Sequence, residues 1–226
     1  MSGFGAVWQN LDWTVITDMI LSVIPALICI TLHELSHGLV AYRLGDDTAK
    51  RMGRLTLNPI RHIDWWGLVM MVLFKFGWAK PVPVNMYRFK NPRKGMAVTA
   101  LAGPAANILI AVVFLALYGL LYRPLYLQSG AAGHALLETV FMTAYISTSL
   151  AVFNLIPLSP LDGSKILYSV LSDRAYEKLM RYEKYGMILI MVLVVSGGLS
   201  GVLSTATGWV FDKLFVVAEF AFELVS

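Results

Sequence analysis

The sequence predicts an all-α polytopic membrane protein with about five to six membrane segments, one of them a re-entrant hairpin, and short β segments near the cytosolic boundary. Three observations lead there. Hydrophobic residues make up 58% of the 226-residue chain and charged residues only 14%, with a mean hydropathy of +0.67, outside the range of ordinary soluble domains. Several apolar stretches meet or approach the ~20 residues a spanning helix needs. Lysine and arginine gather in a few loops, as they do on the cytosolic side of membrane proteins.

The opening residues, MSGFGAVWQNLD, carry no basic segment, and the apolar run after them is too long for a signal peptide, so the first helix is expected to stay with the protein. Trp13 to Leu44 is the first span. Trp65 to Ala79 is shorter and contains Lys75. The basic segments Arg43 to Asp64 and Lys80 to Lys94 flank it on both sides, so it reads as a hairpin that dips in and returns, covered by protein. Lys94 to Leu121, His134 to Leu158 and Tyr185 to Val202 follow as spans. Thr207 to Leu224 is apolar but holds Asp212, Lys213, Glu219 and Glu223, which suits either a span or an interfacial helix. A third basic loop, Asp173 to Lys184, belongs to the cytosol, whereas Arg123 to Gly133 and Ser196 to Gly208 are nearly free of cations and are assigned outside with the N-terminus.

Arg54 to Asn58 and Val82 to Asn85 are the expected β segments, combining β-branched and apolar residues with prolines, and placed either to offer an edge to an extended peptide or to serve as ordered loops covering the hairpin. Polar excursions are short, so residues 1–226 form a single transmembrane domain with its core at 13–165. The net charge of +4 belongs to the cytosolic loops facing the lipid bilayer and not to a nucleic-acid surface. The single cysteine, Cys29, excludes an intramolecular disulfide.

Inside the first span stands His33-Glu34-Leu35-Ser36-His37. Residues four apart share one helix face, so both imidazoles can bind one Zn²⁺ while Glu34 stands beside it as a base. At 1.5 Å per residue the histidines lie about 10 to 17 Å from the cytosolic end of the helix, at a depth where ionisable side chains are costly and mark function. Catalytic zinc commonly takes three protein ligands. Arg43 stands where a third histidine would extend the motif, Asp46 and Asp47 are about 13 Å further along, and the next glutamate is Glu138. Asp64 and Asp162 remain. Asp162 follows Pro157 and Pro160, which end an apolar helix, and precedes Gly163, which permits a turn. Its carboxylate thus emerges at the membrane side that carries the histidines. Asp64 reads instead as a surface residue at the hairpin entry, and His62 as an interfacial loop histidine.

Asn107 and Asn154 are amides in the cytosolic halves of their helices, suited to donate to a developing oxyanion or to bond between helices. Gly103-Pro104 would loosen its helix near the site, Gly38 would allow close packing, and Cys29, one turn before His33, reads as a small buried hydrophobe.

The His-Glu-x-x-His helix together with Asn154-x-x-Pro157-x-x-x-Leu161-Asp162-Gly163 resembles the paired signature of the site-2 protease family of intramembrane zinc metalloproteases. The similarity extends through Gly53 to Pro59, Lys80 to Asn85 and Gly103 to Asn107, and covers roughly Leu32 to Lys165. It implies zinc held by His33, His37 and Asp162, with Glu34 as the catalytic glutamate. It also implies hydrolysis of a peptide bond within or near the transmembrane segment of a single-span membrane-protein substrate, in the cell membrane with the site towards the cytosol. No PDZ-like insert, trailing CBS-like domain or helix ahead of the motif helix is evident, which suits a compact member. Two other classes compete. A metal transporter or sensor could use the same His and Asp side chains, but Glu34 and the apolar outer halves of the helices speak against a path through the membrane. A zinc hydrolase acting on lipid or prenylated substrates shares the motif.

Overall fold

In lipid every backbone N–H and C=O must be satisfied within its own segment, so long apolar runs become helices. The computed structural model describes residues 13–74, 78–128 and 130–225; the N-terminal stretch behind the signal-peptide reading, and Lys75, lie outside the described residues. The helices are α1 (Trp13–Arg43), α2 (Thr48–Arg51), α3 (Trp65–Phe74), α4 (Pro92–Gln128), α5 (Gly130–Asn154), α6 (Asp162–Val170), α7 (Asp173–Val195) and α8 (Ser200–Glu223). Among the described residues, four helices contain stretches long and apolar enough to cross a membrane: Val23–Arg43, Pro92–Tyr126, Gly130–Asn154 and Ser200–Glu223.

α4 is the central helix and packs against α1, α5, α6 and α8. α5 runs antiparallel to it, with Tyr118 against Phe141 (5.3 Å between ring centroids) and Tyr126 against His134 (4.9 Å). Leu115, Ala144, Phe211 and Ala218 form a buried cluster where α4, α5 and α8 meet. Lipid tails are as apolar as leucine, so this contact is held by close van der Waals packing, which small residues such as Ala144 and Ala218 permit.

The expected span from Tyr185 to Val202 is two helices. α7 ends at Val195, and the chain turns through Gly197, whose φ of +73° lies in the left-handed region where a Cβ is unfavourable. The direction of the last helix also differs from the charge-based reading. Tyr118 meets Phe215 (6.3 Å) and Tyr122 meets Phe222 (5.8 Å), so α8 runs parallel to α4. α8 therefore begins in the half of the bundle where α4 begins, and the 196–199 turn is not at the opposite end. The apolar part of α7, Tyr185–Val195, is a short helix. Its ~16 Å falls well short of a hydrocarbon core about 30 Å thick.

The expected β segments are absent among the described residues, where the one β feature is an isolated antiparallel bridge between Ile63 and Ala79. Their backbone groups are held by side chains instead. Arg54 donates to the Lys80 carbonyl (2.7 Å), Val82 N–H donates to Glu34 (2.7 Å), and Asn85 N–H donates to Asp46 (2.6 Å). Pro81 and Pro83 have no N–H to offer a neighbouring strand. The Ile63–Ala79 bridge and a hydrogen bond from Lys80 N–H to the His62 carbonyl (2.9 Å) bring the two ends of the α3 excursion together.

Asp46, in the turn after α1, is fully buried. It accepts from the Thr48 N–H (3.0 Å), the Thr48 hydroxyl (2.5 Å) and the Asn85 N–H (2.6 Å), with Arg88 Nε 4.0 Å away. Burial works against its charge, yet these donors and Arg88 outweigh it and hold the carboxyl below the usual carboxylate range. A lowered folded pKa adds stability that is complete above the unfolded value of ~3.9 and is lost as pH falls through the folded value. Asp46→Asn is therefore expected to cost about 2 kcal/mol at pH 7, a deficit that shrinks only below about pH 4. Thermal unfolding of solubilised protein at both pH values checks this; an equal deficit at each would assign the loss to packing alone.

Candidate metal centre

The four-residue spacing on α1 sets His33 and His37 one turn apart, with Nε2 atoms 3.0 Å from each other. Asp162, at the start of α6, brings Oδ2 to 3.2 Å from His33 Nε2 and 3.0 Å from His37 Nε2. All three side chains are buried, and among the described residues this is the group of three whose ligand atoms lie within 4.8 Å of one another.

The outer atoms of each ligand are already engaged. His37 Nδ1 lies 2.7 Å from the Thr99 carbonyl, so it carries the proton and leaves Nε2 bare. His33 Nδ1 lies 3.1 Å from the Asn107 side-chain amide, whose Oδ1 is buried without a hydrogen-bond partner. Amide oxygen and nitrogen are assigned from the hydrogen-bond network. Turning the amide over lets Oδ1 accept from His33 Nδ1–H and leaves that Nε2 bare as well. The second oxygen of Asp162 faces Lys165 Nζ at 3.6 Å, and its Oδ2 is buried with no hydrogen-bond partner. Two bare imidazole nitrogens and an orphaned carboxylate oxygen converge on one point, a nitrogen and oxygen donor set that suits zinc.

Glu34, next to His33, accepts from Val82 N–H at 2.7 Å and lines a cavity of about 190 Å³ with His33, Asn154, Trp78, Phe153 and Ile190 among its walls. Asn154 donates to the Leu150 carbonyl of its own helix (2.9 Å) while standing on that wall. The structure thus gathers His33, Glu34, His37, Asp162, Asn107 and Asn154 into one neighbourhood. Asp64 lies apart, accepting from Gly67 N–H at the start of α3 (2.9 Å). His62 is buried and meets the Thr56 carbonyl (2.9 Å). Cys29 donates to the Thr143 carbonyl (3.5 Å), tying α1 to α5.

Sequence reasoning gave Gly103 the wrong job. α4 continues unbroken past Pro104, and a Cβ at Gly103 would meet His37 Nε2 and come within 2.5 Å of His33 Cε1 and 2.6 Å of His33 Nε2. Thr99, Gly103 and Asn107 are spaced four apart and form one stripe of α4 against the two imidazoles. Polar and small residues at that spacing, inside an apolar helix, were the available signal.

Gly103→Ala is expected to abolish stable zinc occupancy, because the added methyl falls on both rings. Asn107→Leu should retain the fold but weaken zinc affinity by about 10- to 100-fold, the usual effect of removing a hydrogen-bond partner from a liganding histidine. Elemental analysis and competition with a chelator measure both; full occupancy in Gly103→Ala would mean that α4 is not held against the imidazoles.

Comparison with known proteins agrees with this geometry. The model of Peptidase family M50 matches residues 21–126 and 121–197. The chain is 39% identical over 176 residues to "Putative zinc metalloprotease YwhC" of Bacillus subtilis, covering 77% of this chain and 80% of that protein. It is 29% identical over 193 residues to Rip2 of Mycobacterium tuberculosis strain H37Rv, which carries the same description, covering 82% and 71%. A zinc metalloprotease of Methanocaldococcus jannaschii is 27% identical over 175 residues, 76% of this chain and 41% of its own length. No solved structure matches. With buried His33, His37 and Asp162 converging beside Glu34, and the family match extending over most of the chain, this protein belongs to peptidase family M50, the site-2 protease family, and is a zinc metalloprotease.

Proposed function

We propose that the enzyme hydrolyses a peptide bond within or near the transmembrane segment of a single-span membrane protein, with its site towards the cytosolic side. The observation that carries this reading is the depth of the cluster. His33 and His37 lie inside a stretch able to cross a membrane, and the cavity at Glu34 is walled mainly by apolar residues, among them Ile30, Leu150, Phe153, Leu161 and Ile190. Such walls suit the side chains of a membrane segment and not those of a soluble peptide. The basic residues of the 43–64 and 80–94 segments support the cytosolic assignment. The α3 excursion, whose ends meet at the Ile63–Ala79 bridge, reads as the re-entrant element that covers the cavity with Trp78 and Ala79.

His33, His37 and Asp162 would hold the zinc. When bound, zinc acts as a Lewis acid that lowers the pKa of a water towards about 7 and polarises a carbonyl. Glu34 takes the proton of the attacking water and returns it to the leaving amine. Val82 N–H holds one carboxylate oxygen of Glu34 and leaves the other for that transfer. Asn154, on the cavity wall, supplies an amide to the carbonyl oxygen once it turns from Leu150. Asn107 acts through His33, whose ring it orients.

Glu34→Gln is expected to keep full zinc content and to lose cleavage, whereas Asp162→Ala should lose zinc. Zinc analysis of the purified variants and a membrane-proteome comparison, scoring single-span proteins that no longer release a cytosolic fragment, provide the readout. Near wild-type cleavage by Glu34→Gln would overturn the mechanism.

A helical peptide bond is shielded by its own hydrogen bonds, so the substrate must unwind locally. Replacing Leu by Gly near the scissile bond lowers that cost by roughly 1 kcal/mol and should raise cleavage about fivefold. Equal rates across a matched Leu, Asn and Gly series would show that unwinding does not limit the reaction.

A further inference from the structure

The proposed reaction leaves one feature of α8 unexplained. Asp212 and Lys213 are exposed and lie within Ser200–Glu223, a stretch long and apolar enough to cross a membrane. Their depth follows from Phe211, which packs on Phe141 (5.4 Å) and Tyr145 (5.3 Å) and shares a cluster with Leu115 and Ala144. These partners lie well inside α4 and α5, so two opposite charges face outward near mid-membrane. Among the described residues neither has a hydrogen bond or ion pair. Adjacent helix positions point about 100° apart and do not face each other, so the two cannot pair within one chain. Ionisable side chains at this depth face protein or water.

The same face carries the most exposed apolar residues of the helix: Val202 at 69%, Trp209 at 66%, Val216 at 58% and Phe220 at 62%. At 100° per residue all four fall within about 30° of the line that runs between positions 212 and 213. The buried Phe211, Ala218 and Ala221 lie on the opposite side. This is the arrangement of a contact seam flanked by one negative and one positive side chain.

We propose that this face of α8 pairs with a second copy of the chain about a two-fold axis along the membrane normal, with Asp212 of each copy meeting Lys213 of the other. Two copies share one membrane orientation, so their α8 helices are parallel, and such an axis makes the contact isologous. In that arrangement the residue on one side of the seam faces the residue on the other side in the second helix. The Asp-Lys pair is therefore its own complement, whereas a foreign helix would need the same two charges at the same depth. None of the six residues lines the cavity at Glu34, so the pairing leaves the catalytic neighbourhood accessible.

A cysteine at Val216, with Cys29→Ala removing the only native thiol, should give a disulfide-linked dimer when membranes are oxidised. Light scattering of the unmodified chain should give twice its 25.0 kDa mass. Asp212→Lys sets lysine against lysine and Lys213→Asp sets aspartate against aspartate; each alone should abolish the dimer, and the double exchange should restore it. Unchanged zinc content in every variant shows that the fold is intact. A monomeric wild type, a crosslink indifferent to the single reversals, no recovery in the double exchange, or capture of a different membrane protein at position 216 would each overturn the proposal.

Discussion

Two imidazole nitrogens and a carboxylate oxygen lie 3.0 to 3.2 Å from one another, buried among apolar helices. An uncompensated lone pair or charge in such surroundings is expensive, and much of the bundle is arranged to leave a cation as the one partner those atoms can share. Thr99 and Asn107 occupy the far nitrogens of the rings, and Lys165 faces the far oxygen of Asp162. α4 can approach closely enough to do this because position 103 has no side chain. Ser147 bonds the Asn107 carbonyl at 2.8 Å and so locks α5 to the same register. Asp162 opens α6, where the positive end of the helix dipole favours a carboxylate.

Another set of polar side chains serves a different end. Arg54, Glu34 and Asp46 each grip a backbone atom of the 80–85 segment. Hydrogen bonds to charged groups are worth about 1.5–3 kcal/mol each. Exposed ion pairs such as Arg51 with Asp47 add at most about 1 kcal/mol. The segment is therefore held by side chain to backbone contacts from three directions, which explains how an irregular, proline-interrupted stretch keeps a defined shape without a strand partner.

The ligand set of the centre was legible because residue type and spacing carry it: two histidines four apart, and an aspartate where prolines end a helix. The contributions of Thr99 and Val82 were not, since each acts through a backbone group that every residue possesses. α1 and α5 were readable within a few residues from apolar runs, and α4 was too at its start, although it runs on past Leu121 to Gln128. The end of the chain was misread for a physical reason. Hydropathy sums over Tyr185 to Val202 and is blind to a glycine turn at 197. With the chain turned back there, α8 runs parallel to α4 and the 196–199 turn falls in the half of the bundle where α4 begins.

Glu34, the base of the proposed reaction, is also bonded to Val82 N–H. The position of the 80–85 segment and the orientation of the Glu34 carboxylate are thus coupled through that bond. By thermodynamic reciprocity, whatever binds the segment and shifts it by a given free energy is itself bound more or less tightly, by the same amount, when the glutamate is re-aimed.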